Sequence, residues 1–179
     1  MEQIESLYIR RTLNGETAAF GQLVEQYSQR IFLLVLRIVR CREDAEELTQ
    51  DVFLKAFRHL NTFKGDSSFS SWLYRIAFNT AISFVRKKKM EFVYSEEKFM
   101  DNLLDTDKEA EQNEEADLME KLEKIIPLLP PEEVALLTLY YTDNRNIEEI
   151  ALILSQTTSN IKVKLFRIHK KLYTLLNSN

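Results

Sequence analysis

Residues 63–89 read FKGDSSFSSWLYRIAFNTAISFVRKKK. Phe63, Phe69, Trp72, Tyr74, Phe78 and Phe84 stand there among Lys64, Asp66, Ser67, Arg75 and Asn79. The stretch closes on Arg86, Lys87, Lys88 and Lys89. These side chains suit unpaired DNA. Aromatic faces stack on bases, worth roughly 1–3 kcal/mol per base, and Lys or Arg holds phosphate. An asparagine can hydrogen-bond a base edge once the base has left the stack, a step of a few kcal/mol. A reader of intact duplex has no need of the aromatics. The same composition fits a core aromatic stripe ending in a solvated cationic turn, so the residues alone leave both readings open.

The elements that would position them follow from periodicity. On a helical wheel of about 100° per residue, Phe69, Trp72, Leu73, Ile76, Ala77, Thr80 and Phe84 form one apolar face. Ser71, Arg75, Asn79, Ser83 and Arg86 form another. The spacing predicts a helix from Ser68 to the 86–89 cluster, after a polar loop at 61–67 that contains Gly65. Before it, Asp44 as N-cap, with Glu47 three residues on, predicts a helix to Leu60. Its inner face would be Ala45, Leu48, Val52, Phe53, Ala56, Phe57 and Leu60. Its outer arc holds Glu47, Gln50, Asp51, Leu54, Lys55 and Arg58, where Leu54 sits alone among charges. An earlier amphipathic helix spans 16–40.

Residues 91–116 lose this period and crowd Asp, Glu, Asn and Lys, which reads as an acidic flexible linker. A helix re-forms at 117–126, and Leu129-Pro130-Pro131 breaks the chain. Helices follow at 132–141, at 147–154 with Asn146 and Glu149 as caps, and at 159–176. Ile147, Ile150 and Leu154 face Ile161, Leu165, Ile168, Leu172 and Leu175 across a short turn. That is helix-turn-helix spacing, whose second helix enters a major groove. A structural helical hairpin would share it. Beyond the apolar stripe stand Ser159, Asn160, Val163, Arg167 and Lys170, flanked by Lys162 and Lys164. No strand pattern is visible, so an all-α fold is expected.

Composition narrows the function. The chain has 179 residues, 45% hydrophobic and 29% charged, with three Gly and three Pro. Cys41 is the only cysteine, which excludes an intramolecular disulfide. With His59 and His169 the only histidines, a Cys/His metal site is not expected. No nucleophile–base pair or phosphate-cradling loop is evident, so neither enzyme activity, a cofactor nor a small-molecule substrate is expected. The N-terminus has no long apolar core. The longest apolar run, 31–39, contains Arg37 and falls short of the roughly 20 residues that span a bilayer. A cytoplasmic location is expected. Net charge is −4, yet 67–90 and 150–179 contain no Asp or Glu and carry five Lys or Arg each. Such local cationic faces are the footprint of nucleic-acid binding.

The run 63–69, then Trp72-Leu73-Tyr74-Arg75-Ile76-Ala77 and Asn79, resembles the promoter-melting region of bacterial RNA polymerase sigma factors. The likeness is to the sigma-70 family and its extracytoplasmic-function (ECF) group. It implies that Phe63, Lys64, Asp66, Ser67 and Phe69 form a loop capturing a flipped base of the −10 element. It places Trp72, Arg75 and Asn79 at the melting point and Arg86 and Lys87 on the duplex upstream. By the same resemblance, Glu47, Gln50, Asp51 and Leu54 face the clamp helices of the polymerase largest subunit. Residues 129–176 resemble the module that binds the −35 element, with Ser159, Asn160, Lys162, Val163, Lys164 and Arg167 at the contact positions. Ser155 departs from the glycine frequent in that turn, and the 159–164 sequence departs too, so the base preference does not carry over. The implied domains are 1–90 and 117–179, joined by 91–116. The implied partners are core RNA polymerase (clamp helices and flap), promoter DNA and an anti-sigma protein. A free-standing helix-turn-helix regulator and a helical adaptor remain the alternatives.

Overall fold

The computed structural model describes residues 2–94 and 114–177, which are helical with no strand among the described residues. The bulk of the expected linker lies outside them. The N-terminal half is built from α1 (Glu2–Leu13), α2 (Ala18–Val39), α3 (Arg42–Arg58) and α4 (Phe69–Tyr94). The C-terminal half comprises α5 (Glu114–Ile125), α6 (Pro131–Leu137), α7 (Ile147–Leu154) and α8 (Thr158–Leu176). A single π-type turn, Thr138–Thr142, prolongs α6. None of these helices is long and apolar enough to cross a membrane.

Several boundaries follow from local chemistry. Pro131 opens α6 at a position where a missing N–H is harmless. Asn146 Oδ1 accepts from Glu149 N–H at 2.8 Å, and the Glu149 carboxylate accepts from Asn146 N–H at 3.1 Å, so the expected capping box is present. At the other end of α7, Ser155 adopts φ +55 and ψ +48. A left-handed residue with a Cβ is strained by roughly 1–2 kcal/mol. Ser155→Gly should therefore raise stability by about 0.5–1 kcal/mol, part of the relief being offset by glycine's greater freedom when unfolded. Denaturant titration at unchanged slope checks this.

Other boundaries differ from the sequence reading. Helix α3 starts at Arg42, two residues early, with the extended Cys41 as N-cap and no side-chain cap. Glu43 and Asp44 lie inside the first turn, where carboxylates favour the helix dipole. Asp44 pairs instead with Lys88 at 2.8 Å. Helix α4 runs past the cationic cluster to Tyr94. Helix α1 is an addition: Glu5 is buried on it, accepting from Tyr27 Oη at 2.5 Å and Gln26 Nε2 at 2.9 Å.

The core is continuous through both halves. Leu23, Ile31, Leu34 and Val35 of α2 meet Ala45, Val52 and Ala56 of α3 and Leu73 and Ala77 of α4. Leu136, Leu139, Ile150, Ile153 and Ile161 fill the C-terminal side. Helix α4 is packed from two sides, by α2 and α3 and by α6 and α7. Ser70, Ser71, Tyr74, Phe78, Ala81 and Ile82 are consequently buried, while Trp72, Ile76 and Phe84 are half-buried. A wheel with one apolar face could not show this, because the second neighbour is distant in sequence. Across the seam, Arg37 Nη1 donates to Thr142 Oγ1 at 2.6 Å and Arg40 Nη2 to Leu129 O at 2.8 Å.

Candidate nucleic-acid and polymerase interfaces

The loop before α4 turns at Gly65, whose φ of +80 suits a residue without a Cβ. Ser68 then caps α4, its Oγ accepting from Ser71 N–H at 3.1 Å. Phe63, Phe69 and Trp72 form a mutual aromatic trio with ring centroids 5.5–5.8 Å apart. Phe69 is only 2% exposed and also packs on Tyr27 at 5.9 Å. Its expected place among DNA-touching residues is therefore corrected: Phe69 braces the loop from the core side. Phe63 and Trp72 keep part of their rings at the surface, with Ser67 half-buried and Lys64 and Asp66 exposed beside them. The trio thus presents aromatic edges over a rigid base, which suits a pocket that receives one planar group.

Further along α4, Arg75 and Asn79 are exposed one turn apart. The cationic end is already engaged. Arg86 pairs with Glu132 of α6 at 3.1 Å, Lys87 lies 3.8 Å from Glu91, and Lys88 pairs with Asp44. The hydrogen bond to Asp44 holds the Lys88 ammonium above its ordinary value.

On α3, Glu47, Gln50 and Leu54 are exposed and Asp51 is half-buried, so the four share the outward side. Leu54 keeps 52% of its surface exposed. Gln50 and Leu54 form one lip of an apolar groove of about 580 Å³ between α2 and α3, floored by Phe20, Val24, Phe53 and Phe57. Phe57 was expected inside; it instead stands partly open at this groove, against Phe20 at 5.2 Å. Sequence reasoning missed the groove because its two walls are some thirty residues apart.

In the C-terminal half, Thr157 caps α8 by accepting from Asn160 N–H at 3.2 Å. Ile161, Leu165 and Ile168 are buried against α7, while Leu175 is exposed, so the expected stripe ends a turn early. Ser159, Asn160, Lys162, Val163 and Arg167 are exposed and Lys164 is half-buried. Phe166 was not foreseen there. It is 70% exposed, one turn from Val163 on the outward side of α8. An exposed Phe among Lys162, Arg167 and Lys170 was legible as an aromatic outside the apolar stripe. Cys41 is a free thiol, and no cluster of metal-binding side chains occurs among the described residues.

An all-helical chain with a braced aromatic loop, a cationic helix and a capped helix-turn-helix is built as a promoter-binding transcription factor. The Sigma-70 region 2 family matches residues 23–91, and the Sigma-70, region 4 family matches 119–172. The RNA polymerase sigma-H factor of Pseudomonas aeruginosa is 32% identical over 190 residues, covering 98% of this chain and 96% of that protein. The ECF RNA polymerase sigma-E factor of Escherichia coli K12 is 31% identical over 174 residues, covering 91% and 89%. This chain belongs to the sigma-70 family and is a transcription initiation sigma factor of the ECF type. Its fold is shared with CnrH, solved in complex with the cytosolic domain of CnrY. The TM-score is 0.68 at 20% identity, over 98% of this chain and 99% of that one. It is shared too with the sigma factor RpoE, solved with the anti-sigma factor NepR from Bartonella quintana. There the TM-score is 0.68 at 22% identity, over 88% and 96%.

Proposed function

We propose that this sigma factor binds core RNA polymerase through the outer side of α3, reads a −35 duplex with α8 and opens the −10 element with the loop and helix at 63–89. The observation that carries the reading is the pairing of a half-open aromatic trio with the exposed Arg75 and Asn79 on the same helix start. A duplex-only regulator has no use for stacking surfaces there. The chain is not itself an enzyme; polymerase performs the chemistry, and the sigma factor acts beside it in the cytoplasm. Glu47, Gln50, Asp51 and Leu54 meet the clamp helices, an acidic rim around an apolar anchor. Phe63, Lys64, Asp66, Ser67 and Trp72 surround the extruded base, and Arg86 and Lys87 hold upstream phosphates. Residues 1–90 and 117–179 serve as the two functional modules. An anti-sigma protein is the expected regulator, since the structural neighbour RpoE was solved with the anti-sigma factor NepR.

Run-off transcription with purified core enzyme on a promoter library tests this: specific starts are expected only when the chain is added, and no start at any site would end the proposal. Tight sequence-specific binding without core enzyme would instead favour a free-standing regulator.

Phe166 deepens the −35 assignment. An exposed ring on a major-groove helix contacts thymine methyl groups, and Val163 extends that apolar strip. Phe166→Ala should weaken −35 duplex binding about fivefold, roughly 1 kcal/mol, with unchanged helicity. A mobility shift of the complex with core enzyme on the selected promoter reads it, and equal affinity would remove Phe166 from the interface.

A further inference from the structure

Helix α1 carries a buried carboxylate that none of the proposed contacts uses. Glu5 is 5% exposed, and α1 precedes the family-matched segment 23–91. Its Oε1 accepts from Tyr27 Oη of α2 at 2.5 Å and from Gln26 Nε2 at 2.9 Å. Burying a carboxylate is costly unless it is hydrogen-bonded, and an apolar side chain would dock the helix at lower cost. Ile9, one turn on, already supplies such an apolar contact to the core. Docking of α1 alone therefore does not account for Glu5.

The carboxylate fixes the direction of a ring. Tyr27 is buried, and it packs on Phe69 with centroids 5.9 Å apart. Phe69 in turn meets Phe63 at 5.8 Å and Trp72 at 5.7 Å. A tyrosine held only by its faces can slide along its neighbours; one anchored at Oη cannot. Burial, and after it the hydrogen bond to Glu5, push the Tyr27 phenol well above its ordinary value. The phenol thus stays protonated and keeps donating at neutral pH. Helix α1 also packs against the short turn Leu60–Thr62, which delivers the chain to Phe63. One helix braces both the floor of the aromatic loop and its entry.

We propose that Glu5 is a positioning residue for promoter opening: through Tyr27 and Phe69 it sets the depth and tilt of the Phe63–Trp72 pair that receives the extruded base. The inference rests on the −10 assignment made above and adds to it a residue of α1 that itself touches no DNA. Glu5 acts here as a hydrogen-bond acceptor and not as a charge, so a glutamine, whose carbonyl also accepts, should serve in its place.

Trp72 is the only tryptophan of the chain, so its fluorescence reports on the trio in the free protein. Glu5→Leu combined with Tyr27→Phe removes both ends of the bond and leaves apolar groups of similar size, an exchange that is nearly neutral for stability. A merely structural role of Glu5 predicts parent behaviour throughout. Positioning predicts that the full-length pair, at parent helicity and parent affinity for core polymerase, shifts Trp72 emission to longer wavelength. It also predicts at least fivefold less −10 opening in the complex with core enzyme on a promoter selected from the library, read by permanganate. Glu5→Gln is expected to stay within twofold of the parent in opening. If the pair lowers helicity, Tyr27→Phe alone carries the same expectation. Parent-like emission or parent-like opening in the folded variant would overturn the proposal, as would a Glu5→Gln chain as defective as the pair. A parent chain that opens no promoter would instead end the −10 reading, and the emission of the pair then decides separately whether Glu5 sets the trio.

Discussion

Asp51→Arg combined with Leu54→Ala should reduce affinity for core polymerase by at least about 100-fold without unfolding the protein. Leu54 exposes half its surface and Asp51 pairs with Lys55, one turn away at 3.0 Å. Truncating Leu54 removes no core contact, and the new Arg meets Lys55 as a like charge, a loss of roughly 0.3–0.5 kcal/mol on a helix surface. The binding loss is far larger. An apolar anchor at the centre of an interface is worth about 2 kcal/mol or more. Reversing a charge toward a cationic partner adds repulsion and slows encounter. Co-purification and a titration with labelled core enzyme read the result. Parent-like affinity with parent-like helicity would remove α3 from the interface. Phe57→Ala offers a finer comparison: if the partner inserts a side chain into the α2–α3 groove, that change should weaken binding by an amount intermediate between the parent and the pair.

The residues that were legible in the sequence are those whose partners lie within one helical turn. The Asn146–Glu149 box, the Pro131 start, the Thr157 turn and the outward placing of Glu47, Gln50 and Leu54 all depend on three- and four-residue spacing. Where the structure departs, a distant neighbour has intervened. Asp44 looked like a cap because it stands before an amphipathic run, but Lys88 recruits it from 44 residues away. Helix α1 was invisible because its buried face includes Glu5 and Thr12, which satisfy hydrogen bonds to Gln26, Tyr27 and the Tyr8 carbonyl and break the apolar period.

The candidate site divides the same way. Residue types and order within 63–89 were enough to mark a stacking and phosphate-holding segment. Depth was not available: Phe63, Phe69 and Trp72 look equivalent in sequence, and only Tyr27 on α2 decides that Phe69 is the one driven inward. Tyr74 and Ser70 belong to neither face of the wheel, and Arg145, some 70 residues on, is what covers them. A wheel weighs one helix against an average environment, whereas α4 faces a separate neighbour on each flank.

Those differences sharpen the expectation for promoter opening. Trp72→Ala with Asn79→Ala should leave polymerase binding and −35 recognition intact and reduce −10 opening about 100-fold. Trp72 contributes a ring edge to the loop, and loss of one stacking platform is worth roughly 1–3 kcal/mol. Asn79 is exposed on α4, and a lost hydrogen bond to a base edge adds about 1 kcal/mol. The two changes differ in their structural consequences. Ala is the better helix former, so Asn79→Ala alone should not lower stability; opening should still fall about fivefold. Trp72→Ala also empties one corner of the trio that braces Phe63, so Trp72→Phe serves as the partner that keeps an aromatic face and much of the packing. Permanganate reactivity of unpaired thymines in the polymerase–promoter complex reports the outcome directly. Normal reactivity in Asn79→Ala and in the double variant would mean that this helix start does not hold the unpaired strand, whatever else the chain does at a promoter.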